Sequence, residues 1–324
     1  MICLGIESTA HTFGVGIVND KGEILADERY VYKPREGIIP SEAAELLAKN
    51  APIVLETALD RSNLDIDDID VIAFSRGPGM PPQLRVGAVA ARTLSLEYNI
   101  PIVGVNHCIA HLEISQLFGA RDPVMLYVSG GNTQVIAYNE GKFRIFGETE
   151  DIGVGNFLDC VARELGLGFP GGPIIEQLAK KGKKYIPLPY NVKGMDIVLG
   201  GILTRVKELV KKGVKIEDLC YSIQETVFAM LIEVSERAIA HLNKEEFIIT
   251  GGVGANERLK EMGKIMCEER GCKFIEIPKE YCVDNGVMIA WLGILVYKSR
   301  GPDRLEETNI LQKWRVDDVE VTWR

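Results

Sequence analysis

Read for apolar alternation, residues 2 to 31 break into three short strands, "ICLGIE", "FGVGIV" and "EILADERYV", joined by the small or polar turns "STAHT" and "NDKG". Residues 124 to 147 repeat that order with "VMLYV", "QVIAY" and "FRIFG" around the turns "SGGNT" and "NEGK". Each set predicts a three-stranded meander. Downstream, "DVIAF" leads through the loop "SRGPG" into an Ala-rich helix, a strand "PIVGV" and a further helix bearing His107. Its counterpart is "EFIIT", loop "GGVGA", a helix from Asn256 to about Arg270, strand "KFIEI" and a helix after Asp284.

A meander followed by βαβα units predicts an α/β chain of two duplicated halves. Each half is a mixed sheet with helices on its faces, and the two face each other across a cleft. A length of 324 residues fits two domains of roughly 150 each. The division expected is 1–128 and 129–297, with the terminal segment 298–324 returning to the first half.

Composition narrows the setting. The longest apolar run, "GVMIAWLGILVY" from Gly286, is shorter than the roughly 20 residues a membrane helix needs, and reads as a buried helix. The start "MICLGIES" has no signal-peptide pattern, so a cytoplasmic protein is expected. Seven scattered cysteines without a C-x-x-C pair read as reduced core residues. A net charge of −9 opposes unaided binding to nucleic acid, and the basic stretches "KKGKK" (180 to 184) and "RVKELVKKGVK" (205 to 215) read as solvated helix ends.

Candidate chemistry lies in the loops. "STAHT", "SGGNT" and "GGVGAN" (251 to 256) mix small residues with hydroxyls, and the last joins a strand to a helix, where N–H groups can face a phosphate. No Walker sequence or dinucleotide fingerprint is present, which disfavours P-loop and Rossmann readings. Asp159 and Glu176 flank the loop "GFPGGP", where a carboxylate can accept ribose hydroxyls or simply cap a helix.

"NHCIAHLE" (106 to 113) puts His107 and His111 on one helix face. Asn106 can cap that helix, whose positive end favours a neutral His107. If the halves face each other, Asp284 joins the pair from the equivalent junction, unless it serves as an N-cap. Nitrogen and oxygen donors without thiolate suit iron, zinc or manganese. A zinc protease needs H-E-x-x-H, and here Cys108 occupies the place of that glutamate.

The strings "GIESTAHTFGVGIV", "NHCIAHLEI", "LYVSGGNTQVIAY", "FGETEDIGVGNFLD", "GFPGGP", "LPYNVKGMD", "GGVGANERL" and "DNGVMIAWLG" together resemble the archaeal and eukaryotic branch of the Kae/TsaD/Qri family. The resemblance implies the actin/Hsp70/sugar-kinase (ASKHA) fold of two RNase H-like domains. It implies transfer of threonylcarbamoyl from threonylcarbamoyl-adenylate to the N6 amine of the adenosine 3′ of the anticodon, in tRNAs reading codons that begin with A. It further implies a divalent metal, usually iron, held by His107, His111, Tyr127 and Asp284. The backbone of Tyr127, Val128, Ser129, Gly130 and Gly131 would meet the acyl-adenylate. Asp159, Gly172, Glu176 and Asn256 would bind its nucleoside, and no side chain is assigned as a catalytic acid or base. The family works in the KEOPS complex, with a small atypical protein kinase and small dimerising subunits that would carry most of the tRNA binding.

Against the family pattern this chain has Leu46 and Leu47 in place of a His-His pair, Met80 and Pro81 for Leu-Gly, Leu199 and Gly200 for Phe-Ser, and Gly254 and Glu257 for Ala and Asn. These changes are expected in loops bordering the cleft. Two competing readings remain: an ATPase or kinase of the same fold, using Glu7, and a non-catalytic nucleotide-binding scaffold.

Overall fold

The structure is a computed structural model and describes residues 1–34 and 37–324. The first sheet uses β1 (Ile2–Glu7), β2 (Thr12–Asn19), β3 (Ile24–Val31), β4 (Val71–Gly77) and β5 (Ile102–Asn106), with α1 (Pro40–Ser62), α2 (Pro81–Tyr98) and α3 (His107–Glu113). The second half runs through β6 (Val124–Val128), β7 (Thr133–Asn139) and β8 (Lys142–Glu148), then α4 (Val154–Glu164), α5 (Gly171–Ala179), the short pair β9 (Val192–Lys193) and β10 (Asp196–Ile197), α6 (Gly200–Lys211) and α7 (Ile216–Leu242). It closes with β11 (Glu246–Thr250), α8 (Glu257–Arg270), β12 (Lys273–Phe274), α9 (Lys279–Cys282) and α10 (Gly286–Arg300).

Strand order demonstrates the duplication. The first sheet is β3-β2-β1-β4-β5 and the second β8-β7-β6-β11-β12. In each, the meander is antiparallel and the last two strands are parallel to the first. The central strands β1, β4, β6 and β11, and the edge strand β5, are buried nearly throughout, because both faces are covered. The strand expected over 273 to 277 shortens to Lys273–Phe274, which pairs with β11 at the edge of the sheet.

Three cores result. One lies beneath α1 and α2, and one beneath α4 to α8. The third fills the space between the sheets with α3, α10, Tyr127 and the tail residues Val316 and Val319. The apolar run starting at Gly286 is the buried helix α10, and it packs on β1, β2 and β4 of the first sheet. The approach is backbone on backbone: a Cβ on Gly286 would lie 2.0 Å from the Gly16 nitrogen, and one on Gly5 2.2 Å from the Ala290 nitrogen. Asp284 therefore leads a helix that crosses from the second half onto the first.

Leu46 and Leu47 do not lie in a loop. They sit inside α1, where Leu47 is fully buried because the i, i+4 rows of that helix face the sheet. Met80, Leu199 and Glu257 do lie at helix starts. All seven cysteines are free. Among the described residues no helix is long and apolar enough to cross a membrane.

Candidate active site between the two sheets

Asn106 caps α3 as its sequence position predicts, its Oδ1 accepting from the Cys108 and Ile109 N–H groups at 3.0 and 3.2 Å. The cap fixes the first turn, so His107 and His111 face one point, their rings 4.8 Å apart and edge to face. Asp284 meets them there: its Oδ1 lies 3.3 Å from His111 Nε2 and 3.5 Å from His107 Nε2. Asn285, not Asp284, caps α10, accepting from the Met288 N–H at 2.9 Å. The acidic side chain is thereby left for the histidines, while Arg29 donates to the Asp284 carbonyl at 3.1 Å and holds its backbone.

Tyr127 completes the cluster from β6, its hydroxyl 3.1 Å from His107 Nε2. Alternation alone shows it only as an aromatic in the strand "VMLYV"; the one local signal is its place two residues before the turn "SGGNT". His107, His111 and Asp284 put one donor atom each within 4.8 Å of the others, a spacing one ion can span.

Glu7, fully buried at the end of β1, stands behind His107. Its carboxylate accepts from His107 Nδ1 at 3.0 Å and from the Thr9 hydroxyl and N–H at 2.5 and 2.8 Å. Carboxylate–histidine pairing of this kind fixes which nitrogen faces a metal. The residue that kinase chemistry would need is thus engaged with the histidine pair.

The helix start is not the main influence on His107. Burial alone would lower it, but the charge and hydrogen bond of Glu7, with Asp284 behind, push it up to about 9. His111 moves the other way, lowered by burial and by the charge of His107. Asp284 is held well below the usual carboxylate range, because its hydrogen bond to His111 and the charge of His107 outweigh its burial. Burial raises the Tyr127 phenol. A histidine binds a cation only through an unprotonated nitrogen, so a divalent ion on these donors would compete with a proton on His107.

Beyond Tyr127 the chain turns through Ser129 to Gly131 at the surface. Gly153 and Gly155 pack on this loop without side chains, and the Gly155 and Asn156 N–H groups donate to the Ser129 and Gly130 carbonyls at 3.0 and 2.9 Å. The four residues expected at the nucleoside lie along one seam of the second half. Asp159 accepts from the Gly171 N–H at 2.7 Å, next to Gly172, and Glu176 accepts from the Glu257 N–H at 3.0 Å, next to Asn256. Burial raises the Asp159 carboxyl. Asn256 caps α8, accepting from the Arg258 and Leu259 N–H groups, and donates to Gln224 at 2.7 Å. With Glu176 and Asn256 taking the first N–H groups, the start of α8 is not open to an anion as the loop "GGVGAN" suggested.

Two facing sheets of identical strand order, with a His-His-Asp-Tyr cluster where they meet, define an ASKHA-fold protein with a candidate site between its sheets. The family model described as TsaD: tRNA N6-adenosine threonylcarbamoyltransferase matches residues 22–291. A relative named "tRNA N6-adenosine threonylcarbamoyltransferase" from Thermococcus kodakarensis is 55% identical over 324 residues, covering 100% of both chains. Another, a "Probable bifunctional tRNA threonylcarbamoyladenosine biosynthesis protein" from Methanothermobacter thermautotrophicus, is 56% identical over the whole of this chain, which spans 61% of that longer protein. Among solved structures, HypF from T. kodakarensis superposes with a TM-score of 0.66 over 92% of this chain and 48% of that one, at 15% identity, and speaks to the fold alone. The chain belongs to the TsaD family of tRNA N6-adenosine threonylcarbamoyltransferases.

Proposed function

We propose that this chain transfers the threonylcarbamoyl group of threonylcarbamoyl-AMP to the N6 amine of the adenosine 3′ of the anticodon, in tRNAs reading codons that begin with A. It would do so as the catalytic subunit of a KEOPS-type complex, in the cytoplasm. The observation that carries the reading is the convergence of His107, His111 and Asp284 on one point, with the Tyr127 hydroxyl beside it, at the head of the Ser129–Gly131 loop.

In the reaction the amine nitrogen attacks the carbamoyl carbonyl, the C–O bond to phosphate breaks, and AMP leaves with that electron pair while the amine gives up a proton. AMP is a good leaving group, so no covalent enzyme intermediate is needed. His107, His111, Tyr127 and Asp284 would hold one divalent ion, iron(II) by family resemblance, with zinc or manganese compatible with the same donors. When bound, that ion supplies a Lewis acid for the acyl and phosphate oxygens. The backbone from Tyr127 to Gly131 would position the donor's acyl-phosphate part. Asp159, Gly172, Glu176 and Asn256 would align its nucleoside. Partners of the KEOPS type, a small atypical kinase and small dimerising proteins, would supply the tRNA affinity that a net charge of −9 withholds.

The test is mass-spectrometric detection of threonylcarbamoyladenosine in tRNA after incubation with threonylcarbamoyl-AMP and the partner subunits. Product that depends on this chain is expected. Complex formation without product would instead establish a scaffold.

A further inference from the structure

A cavity of about 390 Å³ opens beside the metal-binding helix, and none of the donor-side residues above explains it. Gly79, Cys108, Asn132, Gln312, Lys313 and Trp314 are among its lining residues. Its volume falls within the roughly 300–1,000 Å³ of ligand pockets.

One wall is the chain from Gln312 to Val316, which is tightly held together with the residues leading into it. The Leu311 N–H donates to the Arg76 carbonyl at 2.8 Å, and the Gly79 N–H donates to the Gln312 carbonyl at 3.2 Å. Asn106 Nδ2 donates to the Trp314 carbonyl at 3.1 Å. Asn106 is also the cap of α3, so one side chain fixes both the metal-binding helix and the cavity wall. A Cβ at Gly77 would lie 1.9 Å from the Leu311 oxygen, so only glycine lets the wall sit this close. The guanidinium of Arg76 lies over the Trp314 ring at 5.6 Å.

The opposite wall includes Asn132, at the end of the loop on which the donor is proposed to lie. The lining chemistry suits a nucleobase: the amides of Asn132 and Gln312 for base edges and the flat, half-buried Trp314, while Glu148, which also lines the cavity, is engaged by the Gln134 amide at 3.0 Å. Lys313 is exposed and has no ion pair among the described residues, while Arg315 beside it is held only loosely, 3.6 and 3.5 Å from Glu148 and Asp317. Two adjacent cations at a cleft mouth are notable in a chain of net charge −9.

We infer that this cavity is the acceptor subsite: it receives the single-stranded anticodon loop of tRNA, with the target adenosine against Gln312 and Trp314 and neighbouring phosphates on Lys313 and Arg315. The inference rests on the transferase reading above. It places the acceptor opposite the nucleoside seam, so the amine approaches the acyl group from the tail side.

The test compares Lys313→Glu and Gln312→Ala with a remote basic control, Lys183→Glu, in the full chain with its partner subunits. Lys313→Glu is expected to raise the KM for tRNA about tenfold and reduce its salt dependence by about one counterion, with the KM for threonylcarbamoyl-AMP unchanged. Lys183→Glu should move neither. Independently, a tRNA anticodon stem-loop carrying 8-azidoadenosine at the acceptor position should photo-cross-link to residues 311–316 or 77–80. An unchanged tRNA KM in Lys313→Glu, or cross-links confined to other segments, overturns the subsite. Absence of product from the wild type with every component present would overturn the transferase reading instead, and the cross-link map still decides where RNA sits.

Discussion

Replacing Glu7 by Gln tests the support of the histidine cluster. The side chain is fully buried, and all three of its contacts are donors: His107 Nδ1 at 3.0 Å, the Thr9 hydroxyl at 2.5 Å and the Thr9 N–H at 2.8 Å. A carboxylate accepts from all three, but an amide has only one oxygen. If that oxygen stays with Thr9, the NH₂ group faces His107 Nδ1, which must then be unprotonated. The ring proton moves to Nε2, the atom facing Tyr127 and Asp284, and blocks it as a ligand. Loss of such a partner lowers metal affinity about 10- to 100-fold, or about 1.4 to 2.8 kcal/mol. Anaerobic calorimetric titration of Fe(II) or Co(II) into metal-free protein measures this directly. Thr9→Val, which removes one contact to Glu7 but leaves the His107 pair, should lose much less. A Glu7→Gln protein that melts earlier yet binds metal as tightly as wild type would refute the tautomer argument and leave Glu7 a packing residue.

Gly286→Ala should abolish soluble expression or cost at least about 3 kcal/mol, because its methyl would lie 2.0 Å from the Gly16 backbone with no side chain to yield; soluble yield and thermal melting report it. Arg324→Ala strips the fully buried Glu113 of its guanidinium partner at 2.8 and 2.9 Å and should destabilise by about 3 kcal/mol in urea unfolding, with Glu113→Gln in the same chain restoring part of the loss. Asn256→Ala should cost about 1 kcal/mol as a lost helix cap and weaken binding of AMP, the nucleotide part of the donor, measured by calorimetry. Unchanged AMP affinity would remove Asn256 from the nucleoside set.

The fold was legible because its signals are local. Alternating strands, Gly turns and the Asn106 cap each act within a few residues, and matching their order in the two halves predicted a duplication that the strand order bears out. The approach of Asp284 to the histidine pair was legible for the same reason, through the equivalence of two junctions. What escaped depends on contacts far apart in the chain. Glu7 meets His107 across 100 positions and Trp323 donates to Glu113 across 210, and no spacing rule encodes either. The pull on His107 was not legible either, because a helix end is a weak partial charge beside the Glu7 and Asp284 side chains that the fold brings against the buried ring. Leu46 and Leu47 were expected in a loop bordering the cleft, whereas both lie within α1, which turns Leu47 into the core.

The central claim is one metal site shared by the two halves and required for acyl transfer. Anaerobically purified wild type and His111→Ala, analysed for bound metal and assayed for threonylcarbamoyladenosine formation, test it most directly. The account predicts about one divalent ion per wild-type chain, and loss of both metal and transfer in a variant that still folds. Equal metal content and an equal rate in the two proteins would contradict it.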